Sequence, residues 1–278
     1  MATPAVTVVI PTYNSAAYLD EALKSLIAQT RRDWEAIVVD NFSNDDTMDR
    51  IARLGDPRIR AVQFKNNGII AASRNVAIRE AQAPLVAFLD ADDLWLPHKL
   101  EDQVPVFAAH PDVVLVYSAA WLFGNTHPLA AEFGVMPRPS AAALDHLALR
   151  RQNVIAASTV VVRTDVLRAI GGLDEDPAIR TICDHDLWLR MSERGPIAFV
   201  PRLHMWYRIH PGGASRDPKE QEQRVRNLFA KRGWEITYAF PRTRSVAFRA
   251  ARAAALVGLG ASLRIREWID RRVGRPAP

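Results

Sequence analysis

The segment from residue 85 to residue 95, LVAFLDADDLW, is an apolar run that stops abruptly at three carboxylates. Such a run after Pro84 is typical of a buried strand in the parallel sheet of an α/β protein. Ligands of these sheets bind outside the carboxyl ends of the strands. Asp90, Asp92 and Asp93 are therefore predicted at a ligand-binding edge, where three uncompensated anions would favour a divalent cation such as Mg²⁺ or Mn²⁺. A polar turn that merely ends the strand is the alternative.

Short β-rich runs alternate with helical patterns through the first part of the chain. Strands are predicted over Val6–Ile10, Trp34–Val39, Ile59–Phe64, Pro84–Asp90 and Val113–Tyr117. Helices are predicted from Ser15 to about Gln29, after the capping residues 43–46, within Gly68–Gln82 and over 97–109. This rhythm predicts an α/β fold with a mainly parallel central sheet, right-handed crossovers and flanking helices.

The second part of the chain has a less regular pattern. Residues 123–140 are predicted to form a loop, of the kind that often serves binding. Later strands are predicted over Ala157–Arg163, Ile197–Val200 and Met205–Ile209, and later helices over Asp165–Ile170, Asp184–Arg194 and past Ser215.

The charge of the chain is unevenly distributed. Residues 1–215 carry a net charge of −4 and residues 216–278 carry +9, within a total of +5. We therefore expect one main domain over 1–215 and a basic helical extension over 216–278, suited either to an anionic surface or to solvent. Cys183 is the only cysteine, so an intrachain disulfide is excluded and a cytoplasmic setting is natural.

Three of the predicted strands end in polar signatures, which are Pro11-Thr12-Tyr13-Asn14, residues 40–47 and residues 90–93. The carboxyl ends of parallel strands share one sheet edge, so these signatures are expected side by side. An aromatic ring could stack on a base, an amide or carboxylate could read the base edge, and a bound cation could take a pyrophosphate. The combination predicts a site for a nucleoside diphosphate.

With these signatures in this order, the chain resembles the family 2 glycosyltransferases, which have the GT-A nucleotide-diphospho-sugar transferase fold. The resemblance covers roughly residues 5–215. The matching segments are 8–14, 38–47, 72–75, 88–95, 171–175, 184–190 and 207–210. The resemblance implies an enzyme that moves a sugar from a nucleoside-diphosphate sugar to an acceptor hydroxyl.

The same resemblance implies which residues bind the nucleotide sugar. Tyr13 would stack on the base, and Asp40 and Asn41 would read its edge, although the family often has two acids at the latter positions. Arg74 would lie near the diphosphate. The full implied set is Pro11, Tyr13, Asp40, Asn41, Arg74, Asp90, Ala91 and Asp92. Structural alternatives remain, namely a turn aromatic, a helix-capping loop and a surface salt bridge.

The metal and the catalytic base are also implied by the resemblance. The family's second acid of Asp-x-Asp holds Mn²⁺ or Mg²⁺, and that position is Asp92. His210 is either an additional metal ligand, as a late histidine sometimes is in related enzymes, or an exposed loop histidine. Asp184 matches the base that takes the acceptor proton, with an N-cap as its alternative role, while Asp186 would face elsewhere on the helix. Cys183 occupies a position where the family commonly has Glu.

These observations predict a metal-dependent, non-processive and inverting glycosyltransferase. The Gln-x-x-Arg-Trp signature of processive synthases is absent from the chain. The alternatives are another nucleotide-sugar enzyme, such as a nucleotidyltransferase, or a catalytically silent binding module; no nucleic-acid-binding signature accompanies the basic tail. The apolar stretch Ala253–Leu263, flanked by arginines, predicts peripheral association with an anionic membrane surface, and docking on the body or in a homodimer is the competing interpretation.

Overall fold

A nine-stranded sheet organises the part of the chain that the computed structural model describes, which is residues 3–123, 134–135, 146–213 and 218–238. The strands are β1 Val6–Thr12, β2 Trp34–Asp40, β3 Ile59–Gln63, β4 Leu85–Phe88, β5 Leu94–Trp95, β6 Leu115–Phe123, β7 Gly134–Val135, β8 Val161–Arg163 and β9 Ile197–Arg208. The helices are α1 Ala16–Ile27, α2 Thr47–Leu54, α3 Ile70–Glu80, α4 Lys99–Ala109, α5 His146–Arg151, α6 Thr164–Ala169, α7 Cys183–Ser192 and α8 Pro218–Lys231.

The strand order is β3-β2-β1-β4-β8-β6-β9-β5, with β7 beside β6. The first four strands in this order are all parallel, as the alternating pattern predicts. Strand β1 is buried along its whole length, because Val9 faces one hydrophobic core and Val8 and Ile10 face the other. Burial on both faces explains why such strands are continuous apolar runs in the sequence.

The later strands depart from the simple rhythm. Strand β6, predicted as the fifth strand, does not pair with β4, because β8 inserts between them and runs antiparallel to both. The two strands predicted at 197–200 and 205–209 form the single strand β9, whose pairing with β6 is irregular beside Ser118–Ala120. These pairings join residues far apart in the chain, so local periodicity does not encode them.

The strand predicted over Ala157–Arg163 is wrong at its start. Residues Ala157–Thr159 form a 3₁₀ turn, and the strand begins at Val161. The turn brings the Ser158 hydroxyl to the acidic loop, where it donates to Asp93 at 2.6 Å and accepts from the Asp90 N–H at 3.0 Å. Two long-range hydrogen bonds therefore override the β propensity of this segment.

Helix α8 packs on the main body of the protein. Its apolar residues Val225, Leu228 and Phe229 are buried in the same core as strand β1 and helix α7. Among the described residues, no helix is long and apolar enough to cross a membrane. The predicted apolar stretch Ala253–Leu263 and most of the predicted loop 123–140 lie outside the described residues.

Gly172 occupies a left-handed position, with φ of 71°, against helix α3. A Cβ atom there would lie 2.5 Å from Oδ1 of Asn75, which accepts the Leu173 N–H at 2.9 Å. We expect Gly172→Ala to lower the free energy of unfolding by about 1–3 kcal/mol more than Gly171→Ala, because only the first adds overpacking to backbone strain. Gly171 is a matched control, since its φ is 83° and a Cβ there meets open space. Urea unfolding of both variants checks this; equal losses would contradict it.

Candidate active site

The loops that follow β1 and β2 are joined by hydrogen bonds. The Asn41 N–H donates to the Thr12 carbonyl at 2.9 Å, and the Asn14 N–H donates to the Ser43 hydroxyl at 2.8 Å. In return, the Asn14 side chain accepts the Asn44 N–H at 2.9 Å. The two predicted polar signatures thus form one continuous surface at the carboxyl edge of the sheet.

The residues predicted to bind a base differ in their accessibility. The Tyr13 side chain is 55% exposed, whereas Asp40 is fully buried. The Asp40 carboxylate accepts from the Ser43 hydroxyl at 2.5 Å and from the Gln63 amide at 3.3 Å. Oδ1 of Asn41 accepts the Asn66 N–H at 2.8 Å, and the Asn41 amide nitrogen donates no hydrogen bond within the described residues. Asn41 therefore has a donor available on this surface, while Asp40 is engaged by Ser43 of its own loop and by Gln63 of β3.

The premise of three uncompensated anions after β4 is wrong, because each of the three carboxylates has its own partner. Asp90 forms an ion pair with Arg74 at 2.5 Å. The Asp92 carboxylate lies 2.9 Å from Nε2 of His210. Asp93 is buried and accepts from the Arg208 N–H at 3.0 Å as well as from Ser158. Burial and the neighbouring acids raise the pKa of Asp93 well above its usual value, which suits a structural carboxyl rather than a ligand.

The Asp92–His210 pair is supported by the side chains around it. The rings of Tyr18 and His210 lie 4.7 Å apart. The Arg208 guanidinium donates to the Asp92 carbonyl at 2.7 Å and to Glu21 at 2.5 Å, which anchors the acidic loop to α1. Burial and the Asp90 charge raise the pKa of Asp92, against the influence of His210. Arg208 therefore helps to position the acidic loop. The sequence motifs assign it no role, because its contacts are with residues far away in the chain.

Arg74 connects the acidic loop to the start of helix α7. It is 4% exposed, so the surface salt bridge considered for it is excluded. Besides its pair with Asp90, its Nη1 lies 4.0 Å from Sγ of Cys183, the residue before Asp184. Arg74 therefore brings together two of the predicted site segments.

Asp184 lies in the first turn of α7, after the cap position Ile182, so it does not act as the N-cap. Burial raises the pKa of Asp184 to about 6, against the lowering influence of the Arg74 charge and of the His185 N–H. A carboxylate with such a pKa can accept a proton near neutral pH. Asp186 is different, because it is fully buried and bonded to Arg190 at 2.7 Å and to Arg232 at 2.5 Å.

The remaining predicted residues, Pro11 and Ala91, are both buried. Pro11 is buried in β1 opposite Val39, and Ala91 is 6% exposed between the two acids of the motif. No group of three or more His, Cys, Asp or Glu side chains poised for a metal occurs in the described ranges.

Comparisons of sequence agree on one family. Residues 7–168 match the family model described as glycosyl transferase family 2. The putative teichuronic acid biosynthesis glycosyltransferase TuaG of Bacillus subtilis is 31% identical over 203 residues, covering 70% of this chain and 75% of TuaG. UDP-Glc:alpha-D-GlcNAc-diphosphoundecaprenol beta-1,3-glucosyltransferase WfaP of Escherichia coli is 28% identical over 232 residues, covering 82% of this chain and 86% of WfaP.

Solved structures share the fold at low sequence identity. S. aureus TarS 1-349 in complex with UDP-GlcNAc matches with a TM-score of 0.64 at 21% identity, covering 81% of this chain and 66% of that one. The mannosyltransferase PcManGT from Pyrobaculum calidifontis, in complex with GDP-Man and Mn²⁺, matches with a TM-score of 0.57 at 19% identity, covering 98% and 84%. The predicted GT-A fold is confirmed. The chain belongs to glycosyl transferase family 2 and is a glycosyltransferase.

Proposed function

We propose that this protein transfers a sugar from a nucleoside-diphosphate sugar to an acceptor hydroxyl, one residue at a time and with inversion at the anomeric carbon, in the presence of Mn²⁺ or Mg²⁺. The observation that supports this most is that Arg74 contacts both Asp90 and Cys183, the residue before Asp184. Arg74 holds the Asp90–Asp92 loop, on the side of the donor, close to Asp184, on the side of the acceptor. Residues 1–215 would be the catalytic domain and 216–278 its extension, of which α8 docks on the body.

The donor would bind along the edge formed by the loops after β1, β2 and β4. Tyr13 offers an exposed ring for stacking on the base, and Asn41 offers an amide donor for its edge. Asp40 would support base reading by holding the loop, or directly if its bond to Ser43 opens. The diphosphate would then extend towards Asp90 and Asp92.

The residues present fit a divalent cation. Asp92 offers a carboxylate oxygen and His210, 2.9 Å from it, an imidazole nitrogen, and both are ligand types that Mn²⁺ accepts. Asp92 and His210 would hold the cation, with the remaining positions filled by diphosphate oxygens and water, as is usual for Mg²⁺. A bound Mn²⁺ or Mg²⁺ would neutralise charge that develops on the leaving diphosphate.

Asp184 would serve as the general base. The acceptor hydroxyl oxygen bonds to the anomeric carbon while the bond from that carbon to the diphosphate oxygen breaks. The hydroxyl proton passes to the Asp184 carboxylate, whose pKa of about 6 leaves it mostly ionised at neutral pH. Attack on the face opposite the leaving group inverts the configuration.

A panel of nucleoside-diphosphate sugars tests the proposal. We expect release of the nucleoside diphosphate from at least one donor with Mn²⁺ or Mg²⁺, and loss of that release with excess chelator. Nuclear magnetic resonance of the product would show the inverted anomer. Retention of configuration, or full activity in chelator, would overturn the corresponding part of the proposal.

A lipid-linked acceptor is the acceptor class that we propose. WfaP, as its name states, acts on a diphosphoundecaprenol-linked sugar. Residues 239–278 of this chain hold nine basic and two acidic residues, so most of the tail's positive charge follows α8. We propose that this basic tail associates peripherally with an anionic membrane, where such an acceptor is found. Packing on the catalytic body or a homodimer contact is the competing role for the tail.

Truncation after residue 238 tests the role of the tail. This truncation keeps Phe229 in the core and keeps the ion pair between Arg232 and buried Asp186. Truncation at 215 would remove both Phe229 and Arg232. We expect the full chain to float with anionic vesicles at low salt and the 1–238 chain to stay behind, since each basic residue near the surface contributes about 1 kcal/mol. Donor hydrolysis should be equal in both chains. A full chain that does not bind the vesicles at low salt would overturn the membrane role and leave the tail a structural role, on the body or in a dimer.

A further inference from the structure

Phe42 combines an exposed ring with a strained backbone. Its φ is 56°, in the left-handed region, and its side chain is 55% exposed. For a bulky aromatic residue this backbone conformation is a true outlier. The ring also gains little from burial where it lies. Neither local backbone preference nor core packing therefore explains a phenylalanine at this position.

Hydrogen bonds on both sides of Phe42 hold the strained conformation. The Asn41 N–H donates to the Thr12 carbonyl at 2.9 Å. The Ser43 N–H and hydroxyl both donate to Asp40, at 3.1 Å and 2.5 Å. Strain that is maintained by its surroundings in this way clusters at ligand-binding sites.

The position of Phe42 indicates which ligand it would meet. Tyr13 and Phe42 are both among the few exposed large apolar side chains of the described residues, and their loops are joined by the Asn14–Ser43 bond. Neither ring contacts another aromatic ring or a cation in the described part of the chain. The Asn41 amide, with its available donor, lies directly before Phe42. Two exposed aromatic rings on hydrogen-bonded loops, with an amide donor one residue from Phe42, match a nucleobase, which has a flat face and a polar edge.

We propose that Phe42 is a second stacking residue for the nucleobase of the donor, beside Tyr13. This inference rests on the proposed nucleotide-sugar function. Stacking on an aromatic side chain is favourable for every base. Phe42 therefore adds affinity for the nucleoside part of the donor and none for the diphosphate part.

Binding measurements on three variants test the role of the ring. Phe42→Ala and Phe42→Gly remove it, and Phe42→Tyr keeps it. Calorimetry with Mn²⁺ would use whichever of UDP, GDP, ADP, CDP and dTDP the wild type binds best, and inorganic pyrophosphate as a probe without a base. We expect the first two variants to weaken nucleoside diphosphate binding about 10-fold or more, with pyrophosphate binding unchanged and Phe42→Tyr close to the wild type.

Thermal unfolding separates the ring from the backbone. Glycine adopts a positive φ without steric cost, so Phe42→Gly should have a higher Tm than Phe42→Ala although both lose affinity. Leu147→Ala, on α5, is a control that also removes an exposed apolar side chain, and its nucleotide Kd should not change.

The outcomes distinguish this inference from the function on which it rests. Unchanged nucleotide Kd in Phe42→Ala and Phe42→Gly would overturn the stacking role. An equal loss of pyrophosphate affinity would also overturn it, since the loop and not the ring would then be responsible. A change confined to the acceptor KM would assign Phe42 to the acceptor instead. A wild-type protein that binds none of the five nucleotides would overturn the proposed function itself.

Discussion

Replacing Asp184 with Asn is expected to lower kcat by a factor of about 10²–10⁴, the usual contribution of a general base. The amide cannot accept the acceptor proton, while its shape leaves the donor site intact. Donor Kd should therefore change little. In the wild type, kcat/KM should rise as the pH increases through about 6 and then level off, because only the ionised form of Asp184 acts as a base. Stopped assays from pH 5 to pH 8 would measure both effects.

Asp186→Asn is the matched control, two residues along the same helix. Asp186 is fully buried between Arg190 and Arg232. Removing its charge leaves Arg190 without its carboxylate partner and Arg232 with only the more distant Asp174, at 3.6 Å, so a loss of stability of about 3–5 kcal/mol is expected. Asp184→Asn should keep the wild-type Tm or exceed it, since a raised carboxyl pKa means that the ionised form is disfavoured in the fold. If Asp184→Asn lowers kcat only slightly while Asp186→Asn is stable but inactive, the general base is Asp186 and not Asp184.

Replacing Asp92 with Asn is expected to abolish nearly all transfer. The charge that would hold the cation against the leaving diphosphate is lost. Nucleoside diphosphate binding should weaken when Mn²⁺ or Mg²⁺ is present and should equal that of the wild type in chelator. Titration of Mn²⁺ followed by electron paramagnetic resonance gives a readout that is independent of turnover. His210→Ala should also weaken Mn²⁺ binding, because Nε2 of His210 lies 2.9 Å from the Asp92 carboxylate.

Asp93→Asn is the control within the same acidic loop. Asp93 is 1% exposed, and both of its carboxylate oxygens already accept hydrogen bonds, from Ser158 and from the Arg208 backbone. We expect this variant to keep the Mn²⁺ affinity of the wild type, whatever its stability. If Asp93→Asn loses Mn²⁺ while Asp92→Asn keeps it, the assignment of the metal ligand is wrong by one residue.

The sequence predicts the elements that local chemistry encodes. Runs buried on both faces, such as β1 and β4, are visible because most of the residues of β1 and all of those of β4 are apolar. Helix α7 is predicted within two residues at each end from its spacing. The order and spacing of the seven matching segments are also properties of the chain alone; through them the chain resembles family 2 glycosyltransferases, which implied the family and the GT-A fold that are now confirmed.

The partners of the site residues are decided only by the tertiary structure. Asp92 meets His210 across 118 residues of sequence, and Asp186 meets Arg232 across 46. The insertion of β8 beside β4 and the docking of α8 in the core are long-range in the same way. Sequence periodicity reports which side chains share a face, because it depends on a few neighbouring residues. Contacts between residues far apart in the chain decide which charges pair. The same contacts, together with burial in the assembled fold, decide which backbone positions are strained, as at Phe42.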